Sequence, residues 1–256
     1  MKIYIMTDME GASGIRYQDE CKTDGPMFDG ARRYLMGDVN AAVAGCFDGG
    51  ADEVVVNGRV FDISKMDPRA SYETEVGGWH SLPSLDETFD GLMVVGGHAM
   101  AGTQGAFLDH TQSSLSWFNY SINGENYGEI GQWTAMAGHF DVPLIFVAGD
   151  QAACDEVNRQ FPGAATVAVK RAMSRNKAHL TLSPERAHEV IRTGAKDAIK
   201  LTETVKPWKL EPPIEVVLEY CRSDYAENVA HHPGVERVDA RTVRKIVQTA
   251  KDVMSF

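Results

Sequence analysis

Asp8 and Glu10 stand two positions apart in the run KIYIMTDMEGASG (residues 2–14), where an alternating, strand-forming segment breaks into a glycine turn. On an extended segment, side chains at i and i+2 share one face. Two carboxylates so placed can hold a divalent cation or act as an acid–base group. His98 follows a second apolar run that ends in Gly96-Gly97, and Asp150 follows a third that ends in Gly149. Carboxylate and imidazole donors suit zinc, manganese or iron(II) better than copper(I) or an iron–sulfur cluster. Glu129 opens a helical pattern between glycines, where an acid can ligate a metal or simply complement the helix N-terminus. His110, in Leu-Asp-His-Thr, is either an acid–base group or an ordinary core or surface histidine. Asp150 is most simply a helix cap. His80, His179 and His188 read as solvated, His139 as a partner of a helix C-terminus, and His231-His232 as a turn pair.

Several chemistries are unsupported. The chain has no G-x-x-x-x-G-K-[ST] phosphate loop, no G-x-G-x-x-G after its first strand and no G-x-S-x-G nucleophile elbow. A net charge of -11 argues against nucleic acid and anionic membranes as partners. No apolar run reaches spanning length. Residues 2–6 read as a strand rather than a signal peptide. The four cysteines, Cys21, Cys46, Cys154 and Cys221, are far apart and form no C-x-x-C pair, which suits mostly buried thiols in a reducing cytoplasm.

The elements that must position these residues follow from periodicity. Strands are expected at 2–6, 53–56, 91–95, 115–122, 143–148, 165–169 and 214–220. Helices are expected at 29–47, 128–139, 150–161, 184–201 and, capped by Asp239, up to about 253. Asn123-Gly124 is a hairpin signal. Strands alternating with helices predict an α/β fold, a mostly parallel sheet flanked by helices, with a smaller C-terminal α+β lobe. The expected division is a metal-binding domain over 1–150 and a lobe over 151–256 that packs on it and serves oligomerisation. In such sheets, sites form beyond the carboxyl ends of the strands. That rule gathers Asp8, Glu10, Asn57, Gly58, His98 and Asp150 on one rim.

TDMEGASG, GGHAMAGTQGAFLDHT, INGENYGEIGQWTAMAGHFDVPLIFVAGD and AATVAVKRAMSR occur in this order along the chain. Together they resemble the M55 peptidases, dinuclear-zinc D-aminopeptidases. The resemblance implies a cytoplasmic homo-oligomer of pentameric rings stacked into a decamer. It implies release of an N-terminal, often D-, amino acid from a short peptide or amino-acid amide. Its metal ligands would be Asp8, Glu10, His98 and Glu129, with Asp8 bridging two ions, and His110 would be the catalytic histidine. Zinc is the expected metal, in one or two ions, with manganese, cobalt or iron as alternatives. The family's V-N-D-S-H segment reads Val56-Asn57-Gly58-Arg59-Val60 here, so Val60 replaces a ligand histidine. Either a nearby group such as Asp62 or a water fills that place, or one of the two ions binds weakly or not at all. Arg59 could offer its charge to a substrate carboxylate. The departure leaves two alternatives: an enzyme for a non-peptide amide or lactam, and a non-catalytic oligomeric binding protein.

Overall fold

The computed structural model describes residues 1–57, 61–73 and 82–256. In chain order the elements are β1 (Lys2–Thr7), α1 (Phe28–Gly49), β2 (Glu53–Asn57), β3 (Ser71–Glu73), β4 (Gly91–Gly97), β5 (Trp117–Ile122), β6 (Glu125–Asn126), α2 (Glu129–His139), β7 (Leu144–Asp150), α3 (Gln151–Gln160), β8 (Ala165–Ser174), β9 (Lys177–Thr181), α4 (Pro184–Ala198), β10 (Ile214–Tyr220), α5 (Ser223–Val229), β11 (Val235–Arg237) and β12 (Thr242–Val247). Seven strands form one sheet in the order β3-β2-β1-β4-β7-β8-β9. Pairing is parallel from β3 to β8, and β9 closes the edge antiparallel to β8.

Both faces of this sheet are covered, so its central strands read as continuous apolar runs. Every residue of β4 and β7 is buried. Alternate residues of β1 serve opposite faces. Ile3 and Ile5 pack with α1 and α4, and Tyr4 and Met6 pack with α2 and α3. The other five strands form a sheet in the order β11-β12-β10-β5-β6. Its apolar face, including Tyr120, Ile122, Val216 and Leu218, shares a core with Ala135 of α2. Helix α2 therefore lies between the two sheets, with Ile130, Trp133 and Ala137 turned to the larger one. This explains why even Gln132 and Thr134 are buried in it. No helix among the described residues is long and apolar enough to cross a membrane.

The expected last helix is a strand. Asp239 accepts from Arg241 N and Thr242 N, both at 2.8 Å, but this Asx turn opens β12, where Val243 and Val247 are buried opposite β10. A capping signature and an Asx turn share one local geometry, and the β-branched run decides between them. The strand expected at 165–169 runs on to Ser174 and returns as β9. Asn123 and Gly124 form the expected hairpin turn, with φ of 51° and 84°.

Strands run out to the left and then to the right of β1, so the topology reverses between β1 and β4. A crevice opens at such a reversal. Here its walls meet very closely. Gly96 has φ of 85°, and a Cβ on it would lie 1.9 Å from Asp8 O. We expect Gly96→Ala to lower unfolding free energy in urea by about 3 kcal/mol or more, since backbone must move to admit it. Gly50 also has positive φ, at 101°, but open space around it. Gly50→Ala should cost only about 1–2 kcal/mol, the left-handed backbone term.

Candidate metal centre and catalytic cleft

Asp8 and Glu10 leave β1 through a turn, closed by Ala12 N to Met9 O at 3.2 Å, and not along an extended segment. They nonetheless converge. Asp8 N bonds Val95 O at 2.9 Å and Gly11 N bonds Gly96 O at 2.7 Å, which ties the turn to the end of β4. His98 leaves that same end and is 2% exposed. Glu129 begins α2 and is 7% exposed. The structure thus brings together all five residues expected from the sequence. Ligand atoms of Asp8, Glu10 and His98 lie within 4.8 Å of one another, as do those of His98, His110 and Glu129. His98 is common to both sets, and one imidazole nitrogen binds one ion. The arrangement suits one ion, or two that share carboxylates.

His98 Nδ1 lies 3.0 Å from Ala99 O. A carbonyl can only accept, so Nδ1 carries the proton and Nε2 points into the cluster. Nε2 is 3.2 Å from Asp8 Oδ2 and 3.4 Å from Glu129 Oε1. Yet His98 Nε2 and Asp8 Oδ2 are both buried without a hydrogen-bond partner. Buried polar atoms left unpaired are costly, and two facing each other mark a place built for a third body. The donor set, three carboxylates and two imidazoles, is one a divalent cation such as zinc accepts.

His110 stacks on His98, with ring centroids 4.1 Å apart and planes 5° from parallel. Its Nδ1 donates to Leu108 O at 2.7 Å, and its Nε2 lies 3.5 Å from Glu129 Oε1. Leu108 and Gln112, on either side of it, are non-glycine residues with φ of 50° and 61°. Such strain persists only where the surroundings enforce it. Here Phe107 N bonds Asp150 Oδ2 (3.0 Å), Leu108 N bonds Arg175 O (2.6 Å) and Gln112 N bonds Glu129 Oε1 (2.8 Å). Asp150 caps α3 as expected, through Ala153 N at 2.7 Å, and so adds a second task to that role. A cavity of about 330 Å³ opens over the cluster, walled by Met6, Met9, Phe28, Leu35 and Trp133.

Charge in the cluster is poorly screened. Burial pushes the Asp8 carboxyl well above the usual range, and the Glu10 and Glu129 charges add to this. Burial opposes a charge on His98, but Asp8 and Glu129 outweigh it and raise its pKa well above the ordinary value. Burial also opposes ionised Glu129, which His98 and His110 hold at about 2. Without a cation, Asp8 and His98 therefore both hold a proton more tightly than they would in water.

Asp62 does not reach the cluster. It caps a short turn, accepts from Ser64 Oγ at 2.6 Å and pairs with Lys65 at 3.0 Å. Gly58, Arg59, Val60 and His80 lie outside the described residues. His188 is not fully solvated, because its Nε2 is buried 3.6 Å from Asp38 Oδ1. Sequence reading missed two buried charges nearby. Glu156, 2% exposed, accepts from Met100 N at 2.8 Å and has an unpaired Oε1. Lys170, 3% exposed, donates to Ile15 O at 3.0 Å. Burial lowers it to about 8. Both sit within ordinary amphipathic patterns, and nothing local marks them.

Two measurements follow. Burial raises Glu156 from 4.5 to about 7. Between those values the native state keeps a proton that the unfolded chain has lost, so stability falls as pH rises through this window. Glu156→Gln should therefore exceed the wild type by up to about 3 kcal/mol in urea unfolding at pH 8, an advantage that shrinks toward pH 5. Calorimetric titration with zinc at pH 7, in buffers of different ionisation enthalpy, should show release of protons and an affinity that rises with pH, as the protons on Asp8 and His98 give way to the ion.

Residues 1–256 match the peptidase family M55, D-aminopeptidase. A D-aminopeptidase of Bacillus subtilis strain 168 is 32% identical over 244 residues, which cover 92% of this chain and 87% of that protein. The solved structure of the zinc-dependent D-aminopeptidase DppA of Bacillus subtilis, a self-compartmentalizing protease, superposes with a TM-score of 0.93 at 27% identity. That match covers 99% of this chain and 94% of the other. With its fold and these stretches of sequence in common with them, the chain belongs to the M55 peptidase family.

Proposed function

We propose that the chain is a zinc-dependent aminopeptidase that releases N-terminal amino acids, D-residues among them, from short peptides or amino-acid amides. The observation that carries this reading is the pair of unpaired buried atoms, Asp8 Oδ2 and His98 Nε2, facing each other beneath a cavity in a chain of this family. Asp8, Glu10, His98 and Glu129 would hold the metal. Zinc bound there would polarise the scissile carbonyl and lower the pKa of a water. His110, its Nδ1 proton committed to Leu108 O, presents Nε2 to take a proton from the attacking water and return it to the leaving amine. A carboxylate of the cluster receives the substrate's free amine, and the Met6, Met9 and Phe28 wall receives its side chain.

Val60 removes a ligand that the family supplies, so of two ions the second binds the more weakly. Exposed Leu115, Phe118, Met173 and Leu180 support assembly into a closed homo-oligomer, rings or a decamer, as the self-compartmentalizing relative suggests.

Purified protein loaded with zinc should hydrolyse D-alanyl peptides, lose that activity to a chelator and regain it with zinc. Asp8→Ala and His98→Ala should each lower kcat/KM about a thousandfold or more while far-ultraviolet circular dichroism is unchanged. Full activity in both would remove this site from the reaction. Zinc uptake without hydrolysis across peptides and amides would leave the binding-protein reading. In titration, Val60→His should strengthen the weaker ion only.

A further inference from the structure

The cleft over the metal cluster has two ends. Glu10, Cys21 and His110 line the cavity of about 330 Å³, which has Met6, Met9 and Phe28 along one wall, and also a second recess of about 150 Å³. The residues that complete the smaller recess differ in character. They include Gln18, Lys22, Ser114 and Arg175, and Leu108 is its apolar member. Glu10 and His110 thus stand at the junction of a wide chamber with an apolar wall and a narrow polar one whose side-chain cations are Lys22 and Arg175.

Arg175 is held in place. It sits in the tight turn between β8 and β9, and its own carbonyl accepts from Leu108 N at 2.6 Å. Its Nε lies 3.2 Å from Asp109 Oδ1, Nη2 donates to Asp109 O at 3.1 Å, and Nη1 donates to Asn176 Oδ1 at 3.2 Å. Each terminal nitrogen carries a second N–H that none of these bonds uses. The terminal nitrogens of Arg175, already held by Asp109 and Asn176, thus keep one N–H each for a carboxylate, which can take two parallel N–H bonds. Lys22, exposed and paired with Asp19 at 2.6 Å, adds a second cation to the recess.

We propose that Arg175, seconded by Lys22, binds the C-terminal carboxylate of a short peptide whose scissile amide lies between Glu10 and His110. This rests on the aminopeptidase reading above. The preferred substrates are then peptides with a free C-terminal carboxylate over the corresponding amides.

The test compares D-alanyl-D-alanine with D-alanyl-D-alanine amide, on zinc-loaded full-length protein. The wild type should favour the free acid. Arg175→Ala should lower kcat/KM for the acid roughly ten- to a hundredfold more than for the amide, the worth of one charge-assisted pair. Arg175→Lys should keep part of the preference, and Lys22→Ala should weaken it less. Loss of the turn's support for His110 would depress acid and amide alike, so the ratio separates binding from structure. An unchanged ratio in Arg175→Ala overturns the proposal, and so does a collapse of the ratio in Arg59→Ala instead. If the wild type cleaves neither compound, the aminopeptidase reading fails. Calorimetric affinities for the same two compounds, in wild type and Arg175→Ala, then decide the carboxylate site on their own.

Discussion

Three carboxylates, those of Asp8, Glu10 and Glu129, are drawn to one poorly hydrated spot, and the surrounding structure answers that concentration of charge. Like charges about 4 Å apart repel by roughly 4 kcal/mol even at an intermediate effective dielectric constant. The N-terminus of α2 brings partial positive charge to Glu129. His98 and His110 stack beside the acids, and Lys170 is buried within electrostatic reach of Glu10. Even so, two polar atoms remain unpaired, and a divalent cation is the simplest body that satisfies both at once.

Such a cluster needs a rigid frame, and the sheet supplies it. Reversal of strand order between β1 and β4 opens the crevice, while glycines at the strand ends let the backbones approach without a Cβ between them. Helix α2 carries Glu129 and is gripped on both sides, by the large sheet and by the smaller antiparallel one. The loop with His110 has no regular structure of its own. Its shape is imposed by Asp150, Glu129 and the backbone of Arg175, which is why it can hold two strained residues.

Much of this was legible in the sequence. The buried parallel strands declared themselves as apolar runs, and Asp8, Glu10 and His98 stood at their ends. Glu129 and His110 were ambiguous locally, since a first-turn acid and a lone histidine have commoner explanations. Resemblance to the M55 peptidases raised both. Two local readings failed for one reason. Asp239 does begin an ordered turn, but whether a helix or a strand follows depends on a partner, β10, that sequence-local rules do not see. Asp8 and Glu10 do share a site, but a turn tied to β4 brings them there and not strand alternation.

The sequence by itself determined the donor types, the strand ends that bear them and the family to which the chain belongs, because periodicity and motifs are properties of neighbours along the chain. Only the tertiary structure decided that His98 and His110 stack, that Asp8 Oδ2 and His98 Nε2 are left facing each other, and that Glu156 and Lys170 are buried charges behind the site. Burial and pairing depend on residues far apart in the chain, such as Ile15 and Lys170, which are separated by 155 positions. The same holds for the polar recess, which Arg175, from a hairpin turn, lines together with Glu10 because the β9 edge pairs with the first loop through Tyr17 and Lys177.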